Sequence, residues 1–309
     1  MAVALASNYE NDLLEDLYNR KIKLDPAQDR KCQMVLTKVL RTVIEKAKEK
    51  SPHFKELYKE TYYGGSYYDK LKVNSTDFEF DLNVVFKIPK QTNWYIANLG
   101  DDVRKPNFAN FQATSIRNPD SDAWNSLLIK DRQGNMAVSP KKMFEVLQTA
   151  VDRAITDINS VLLVNNETFR VTRSTGAPVI LNVEGPGVKF TVDLVPSFKL
   201  ELCDLKTACS DLHTRVVGML KDFNIDVTSF MAIALKNASS ESFEVDFHDI
   251  ERGLLEKSGG CVYNVIKLIK YLRDTTGGTI SKLWSHLLKV NLYCFIGFPF
   301  FKFNHFRHQ

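Results

Sequence analysis

At 309 residues, with 44% apolar and 25% charged residues, the chain has the composition of a globular protein long enough for two lobes. That balance excludes a disordered or low-complexity chain, and a net charge of +4 excludes a protein that is cationic throughout. Five scattered cysteines (Cys32, Cys203, Cys209, Cys261 and Cys294), with no CxxC pair, argue against a structural zinc site and suit the reduced thiols of a cytoplasmic protein.

The charge is unevenly spread. Between Arg20 and Lys59 there are 12 Lys/Arg and 5 Asp/Glu, a local +7 that exceeds the total of +4. A basic segment on an otherwise balanced protein suits a polyanion partner, and equally a solvated helix face. No signal peptide is expected, because residues 1–7 lead directly into acidic residues. The longest apolar run, residues 290–301, contains Asn291 and Pro299 and falls short of the roughly 20 residues that span a bilayer, so no membrane partner is expected.

In chain order, residues 8–21 predict a short amphipathic helix with Leu13, Leu14 and Leu17 on one face. Asp25-Pro26 is a helix-start signal, and Ser51-Pro52 a stop. Between them Val35, Leu36, Val39, Leu40, Val43, Ile44 and Ala47 recur at helical spacing, with Lys38, Arg41, Lys46 and Lys48 outside the stripe.

Next comes the most informative stretch, GGSYYDKLKVNSTDFEFDLNVVFKIP, residues 64–89. A glycine turn leads into a strand predicted over residues 77–88. Side chains two apart on a strand share a face. Glu79 and Asp81 therefore project together, with Phe78, Phe80 and Leu82 on the opposite face. Residues 90–119 are polar and read as loops. Residues 140–160 predict a helix with Ser139 as its cap and Pro140 as its first residue. Strands are expected over residues 179–183 and 188–194. In the second, Lys189, Thr191 and Asp193 alternate with Val188, Phe190, Val192 and Leu194. A carboxylate inside such a strand needs a partner or a metal. From about residue 243 the pattern reads as helical, broken at Gly277-Gly278, and the last residues are rich in phenylalanine.

Three carboxylates from two strands can hold two divalent ions, of the kind that activate a hydroxyl and neutralise phosphate during in-line displacement. Gly65 and Ser66 add a close backbone approach and a hydroxyl donor for phosphates. An isolated E-x-D is more often a solvated strand face, and an isolated GGS a plain turn. Their combination with Asp193 points to metal-dependent nucleotidyl transfer.

The G-S-Y-Y segment, the E-x-D strand ending in Lys-x-Pro and the later V-D-L resemble the cyclic GMP-AMP synthase-like receptors of insects, within the Mab-21-like, polymerase-β-type nucleotidyltransferases. The resemblance implies an α/β, two-lobed fold with a mixed sheet in the N-terminal lobe and a helical C-terminal lobe. The division would be 1–60 for N-terminal helices with a basic face, 61–210 for the core lobe, and 211–309 for a helical lobe cut short at its end. It implies Glu79, Asp81 and Asp193 as catalytic metal ligands for Mg²⁺ or Mn²⁺. It assigns Gly65, Ser66, Glu251, Lys270, Ser285 and Lys289 to nucleotide binding. Substrates would be ATP and GTP, and the product a cyclic dinucleotide second messenger of antiviral signalling. Double-stranded RNA would be the activating ligand, held on Lys38, Arg41, Lys46 and Lys48, with a dimer on RNA as an option. The sequence departs from the family where F-E-V-D-F-H-D-I-E (residues 243–251) puts Glu244, Asp246 and His248 in place of an Arg and small hydroxyls. A non-catalytic nucleic-acid-binding scaffold, or an inactive isoform of the same fold, is the competing expectation. A template-independent RNA polymerase is a third.

Overall fold

The computed structural model describes residues 15–73, 78–89, 93–97, 108–115, 121–131, 134–174, 179–234, 242–258 and 260–276. Most of the predicted helix over residues 8–21 lies outside these. Its described end is helical from residue 15 and widens into a π-helical turn at Tyr18–Ile22. Helix α1 (Pro26–Lys50) buries the anticipated stripe, plus Cys32. Asp25 starts it by accepting the Ala27 N–H at 2.9 Å. Ser51 ends it and caps α2 (Pro52–Leu57), accepting the Phe54 N–H at 3.3 Å.

Strand β1 (Tyr58–Gly64) runs into a single helical turn, α3 (Gly65–Tyr68). Strand β2 (Phe78–Phe86) follows, with Phe78, Phe80 and Leu82 buried and Glu79 and Asp81 exposed. The expected loops over residues 90–119 contain two strands instead, β3 (Asn93–Ala97) and β4 (Phe108–Ser115). Their polar Asn, Gln and Thr mask the alternation. Long-range packing makes them strands: the Phe111 ring meets Phe243 at 4.8 Å and Phe198 at 6.0 Å.

Helix α4 (Asp122–Ser126) and strands β5 (Leu128–Lys130) and β6 (Met136–Val138) lead to α5 (Pro140–Asp157), capped by Ser139 as expected. Strands β7 (Val161–Val164) and β8 (Glu167–Arg173) form a hairpin whose turn residues, Asn165 and Asn166, have φ of 48° and 64°. Asparagine tolerates that left-handed pair, the geometry that fits the strand twist. Strand β9 (Val179–Gly185) precedes β10 (Val188–Glu201). Strand β10 runs past its expected end at residue 194. Pro196 falls in the interval between Leu194, the last residue paired with β9, and Ser197, the first paired with the later strand β11.

Helices α6 (Leu202–Ala208) and α7 (Ser210–Asp222) come next, then β11 (Ser229–Ala234) and β12 (Ser242–Asp246). The expected helix from about residue 243 begins later, as α8 (His248–Ser258), because residues 242–246 form a strand between β4 and β11. Helix α9 (Gly260–Thr276) is the last described element.

Among the described residues the twelve strands belong to one mixed sheet, ordered β5-β6-β4-β12-β11-β10-β9-β8-β7, with β2 also on β10, β1 on β2 and β3 on β4. Every pairing is antiparallel except β2 with β10. Helix α5 packs across β8 to β11. Phe80 and Phe190 meet edge-on at 5.2 Å beneath the β2/β10 pair. The architecture is therefore mixed α/β around a large, mainly antiparallel sheet.

Two compact units emerge from the contacts. The larger, Arg30–Gly65 with Asp77–Ile250, holds the whole sheet. The smaller combines Met1–Asp29, Ser66–Thr76 and Glu251–Gln309. Within it Tyr67 donates its hydroxyl to Asp29, and Arg252 pairs with the buried Asp69 at 3.3 Å. Among the described residues no helix is long and apolar enough to cross a membrane.

Candidate metal and nucleotide site

The parallel pairing of β2 with β10 assembles the acids. Its register puts Asp193 beside Asp81 and Thr191 beside Glu79. Neighbours in register on adjacent strands point to one face. Glu79, two residues before Asp81, joins them there. One oxygen from each of the three carboxylates lies within 4.8 Å of the others.

The electrostatics favour a cation. Burial pushes the Asp193 carboxyl up to about 7, and the negative charges of Glu79 and then Asp81 push in the same direction. Asp193 Oδ1 is buried and has no hydrogen-bond partner among the described residues. A buried acceptor left unmatched costs free energy, and a divalent ion would relieve both the desolvation and the mutual repulsion. The donor set is all carboxylate oxygen, which fits Mg²⁺ or Mn²⁺.

Gly65 shapes one wall. Its backbone is left-handed (φ +75°), and a Cβ there would fall 2.7 Å from Asp81 Cβ and 2.8 Å from Asp81 Cγ. Only glycine admits Asp81 at this approach. The preceding Gly64 is the antiparallel partner of Asp81. A Cβ on Gly64 would sit 3.2 Å from the His248 ring.

That histidine belongs to a cluster the sequence reading saw only as a departure. His248 stacks on Tyr62 with centroids 6.4 Å apart, and its Nδ1 lies 3.2 Å from Asp246 Oδ1. Tyr62 donates its hydroxyl to Asp249 at 2.6 Å. Tyr62 also packs on the apolar patch of Val85, Met231 and Ile233, together with Val195. The consecutive Gly64 and Gly65 signalled a close approach, but nothing local showed which side chains would make it.

Glu79, Asp81, Asp193 and Gly65 thus meet in the larger unit. Ser66, Glu251 and Lys270 belong to the smaller one. Ser66 follows Gly65 directly, and its carbonyl accepts the Leu71 N–H at 2.8 Å. Glu251 is half-buried on α8. Lys270 on α9 is only 4% exposed, so it is not an ordinary solvated helix lysine. Ser285 and Lys289 lie outside the described residues.

On α1 the four basic candidates divide. Lys46 pairs with Glu49 at 2.8 Å and Asp157 at 3.3 Å. Lys48 pairs with Glu45 at 2.9 Å and lies 4.3 Å over the Tyr58 ring. Lys38 and Arg41 carry no ion pair among the described residues.

The Mab-21 protein nucleotidyltransferase domain matches residues 67–257. A cyclic GMP-AMP synthase-like receptor of Tribolium castaneum is 28% identical over 88% of this chain and 70% of its own length. One from Aethina tumida is 24% identical over 87% of this chain and 66% of its own. One from Microplitis demolitor is 23% identical over 91% of this chain and 54% of its own. The chain therefore spans between about half and 70% of the length of these relatives.

Proposed function

This chain belongs to the Mab-21 nucleotidyltransferase family, and from that premise we propose that it joins ATP and GTP into a cyclic dinucleotide when double-stranded RNA binds. The observation that carries the reading is the carboxylate trio of Glu79, Asp81 and Asp193, in register on two adjacent parallel strands. These residues would hold Mg²⁺ or Mn²⁺. When bound, the cation would lower the pKa of an attacking ribose hydroxyl and offset phosphate charge. Gly65 lets backbone N–H groups come close to phosphate, and Ser66 offers a hydroxyl donor beside it. The family resemblance assigns Glu251, Lys270, Ser285 and Lys289 to further nucleotide contacts, in a two-lobed fold of polymerase-β type.

The RNA side of the reading rests on α1. Duplex RNA is read through shape and phosphate contacts, which need cations not already neutralised. Lys38 and Arg41 meet that need. Lys46 and Lys48 would have to exchange carboxylate partners for phosphate. Insect relatives named cyclic GMP-AMP synthase-like receptors support a cyclic dinucleotide product through that name; a cytoplasmic role in antiviral signalling and a dimer on RNA are further parts of the proposal.

The test is incubation of the purified chain with labelled ATP and GTP and Mg²⁺ or Mn²⁺, with no ligand, duplex RNA or duplex DNA. A phosphatase-resistant dinucleotide appearing with RNA alone is the expected result. RNA binding without any product would replace the reading with a non-catalytic scaffold. Elongated RNA would replace it with a polymerase.

A further inference from the structure

A second cleft, of about 680 Å³, opens at the other end of the strands that carry the acids. Lys87, at its rim, lies six positions beyond Asp81, roughly 20 Å along an extended strand. One ligand of nucleotide size cannot occupy both places. The volume falls within the range of small-molecule sites, about 300–1,000 Å³.

Two kinds of residue line it. Trp94, half-buried, offers indole surface, and Trp124 belongs to the lining. Trp124 is 1% exposed, and its Nε1–H has no acceptor among the described residues. Buried indole N–H groups ordinarily find a partner. Lys59, Lys87 and Lys199 surround the same space. None of the three has an ion pair among the described residues.

The carboxylates at the rim are already engaged. Glu56 accepts the Ser121 hydroxyl. Asp204 accepts the Glu201 N–H at 2.9 Å, and Glu201 reciprocates at the first turn of α6. Acceptors are committed to local structure while lysine donors are not. Carboxylates in the lining repel an extended phosphate backbone, with its several charges, more than a single phosphate.

We propose that this cleft binds a purine mononucleotide, with its base on Trp94 and its phosphate among Lys59, Lys87 and Lys199. The site is separate from the acid face, and its occupancy does not depend on divalent metal. Stacking on the indole favours the larger purine ring, and the lysines supply the requirement for charge.

The probe is AMP, titrated by calorimetry into the full chain carrying Asp81→Asn, with EDTA present so that the acid face holds no metal. Expected is saturable one-site binding, weakened at least about tenfold by Trp94→Ala or by Lys87→Glu with Lys199→Glu. Trp94→Phe keeps a stacking ring and retains binding, which separates a lost contact from a lost fold. Adenosine and inorganic phosphate, each with half of the recognised chemistry, bind at least about tenfold more weakly than AMP. Absence of saturable AMP binding into the millimolar range overturns the proposal, as does AMP binding that none of these variants changes. Tighter binding of a short single-stranded RNA than of AMP overturns the mononucleotide assignment.

Discussion

The Asp81 side chain rests against the α-carbon of Gly65, close enough that a methyl group at position 65 would overlap it. The glycine and the carboxylate are therefore one unit: position 65 stays bare so that Asp81 can hold its place beside Asp193. Gly65→Ala would meet both this overlap and a left-handed backbone, a strain of about 1–3 kcal/mol. Expected is a fall in nucleotide turnover of at least tenfold, with a lower melting temperature. Unchanged turnover in Gly65→Ala would show that the close approach does not matter to the site.

Asp193 makes the stability of the metal-free protein depend on pH. Its carboxyl is pushed to about 7 in the fold, against 3.8 ordinarily, by burial and then by Glu79 and Asp81. Between those values the folded chain holds a proton that the unfolded chain has released. Stability therefore falls as pH rises through this window. Melting curves in EDTA from pH 4 to 8 should show wild type losing ground to Asp193→Asn as pH approaches 7. Adding Mg²⁺ or Mn²⁺ should stabilise wild type increasingly as pH rises, because the cation competes with the proton. A pH-independent difference between the two proteins would refute the assignment.

Two of the α1 cations should matter more to RNA than the other two. Lys38→Glu with Arg41→Glu is expected to weaken duplex RNA binding and to lower the salt slope by roughly one per lost phosphate contact. Lys46→Ala should change the slope less, since Glu49 and Asp157 already neutralise it. Filter binding at several salt concentrations measures both. Equal slopes for all variants would place the RNA elsewhere.

Gly185 offers a control for the sheet alone. A Cβ there would fall 2.8 Å from Phe169 Cε1 and 3.0 Å from its Cγ, and that ring is fully buried. Gly185→Ala should destabilise the protein by about 1–3 kcal/mol in urea unfolding, as overpacked cores do. Metal-dependent turnover of the folded fraction should stay near wild type. A stability change within about 0.5 kcal/mol would mean that the strand shifts freely.

What local chemistry sets was legible from the chain alone. The stripe on α1, the Ser139-Pro140 start of α5 and the shared face of Glu79 and Asp81 each follow from backbone periodicity within one element. Asp193 stood out because a carboxylate inside an alternating strand needs a partner.

What the chain alone left open was register and distance in space. A one-residue slip between β2 and β10 would break the alignment of Asp193 with Asp81, and packing such as Phe80 on Phe190 opposes it. Strands β3 and β4 have weak alternation of their own and exist through the core they share with β12. The pairing of Lys46 with Asp157, 111 positions later, turned an apparent free cation into a neutralised one. Periodicity is a property of one segment of backbone and is written in its own residues. Which segments become neighbours depends on how the whole chain buries its apolar surface, so the acid site, the glycine wall and the free cations were decided only in the tertiary structure.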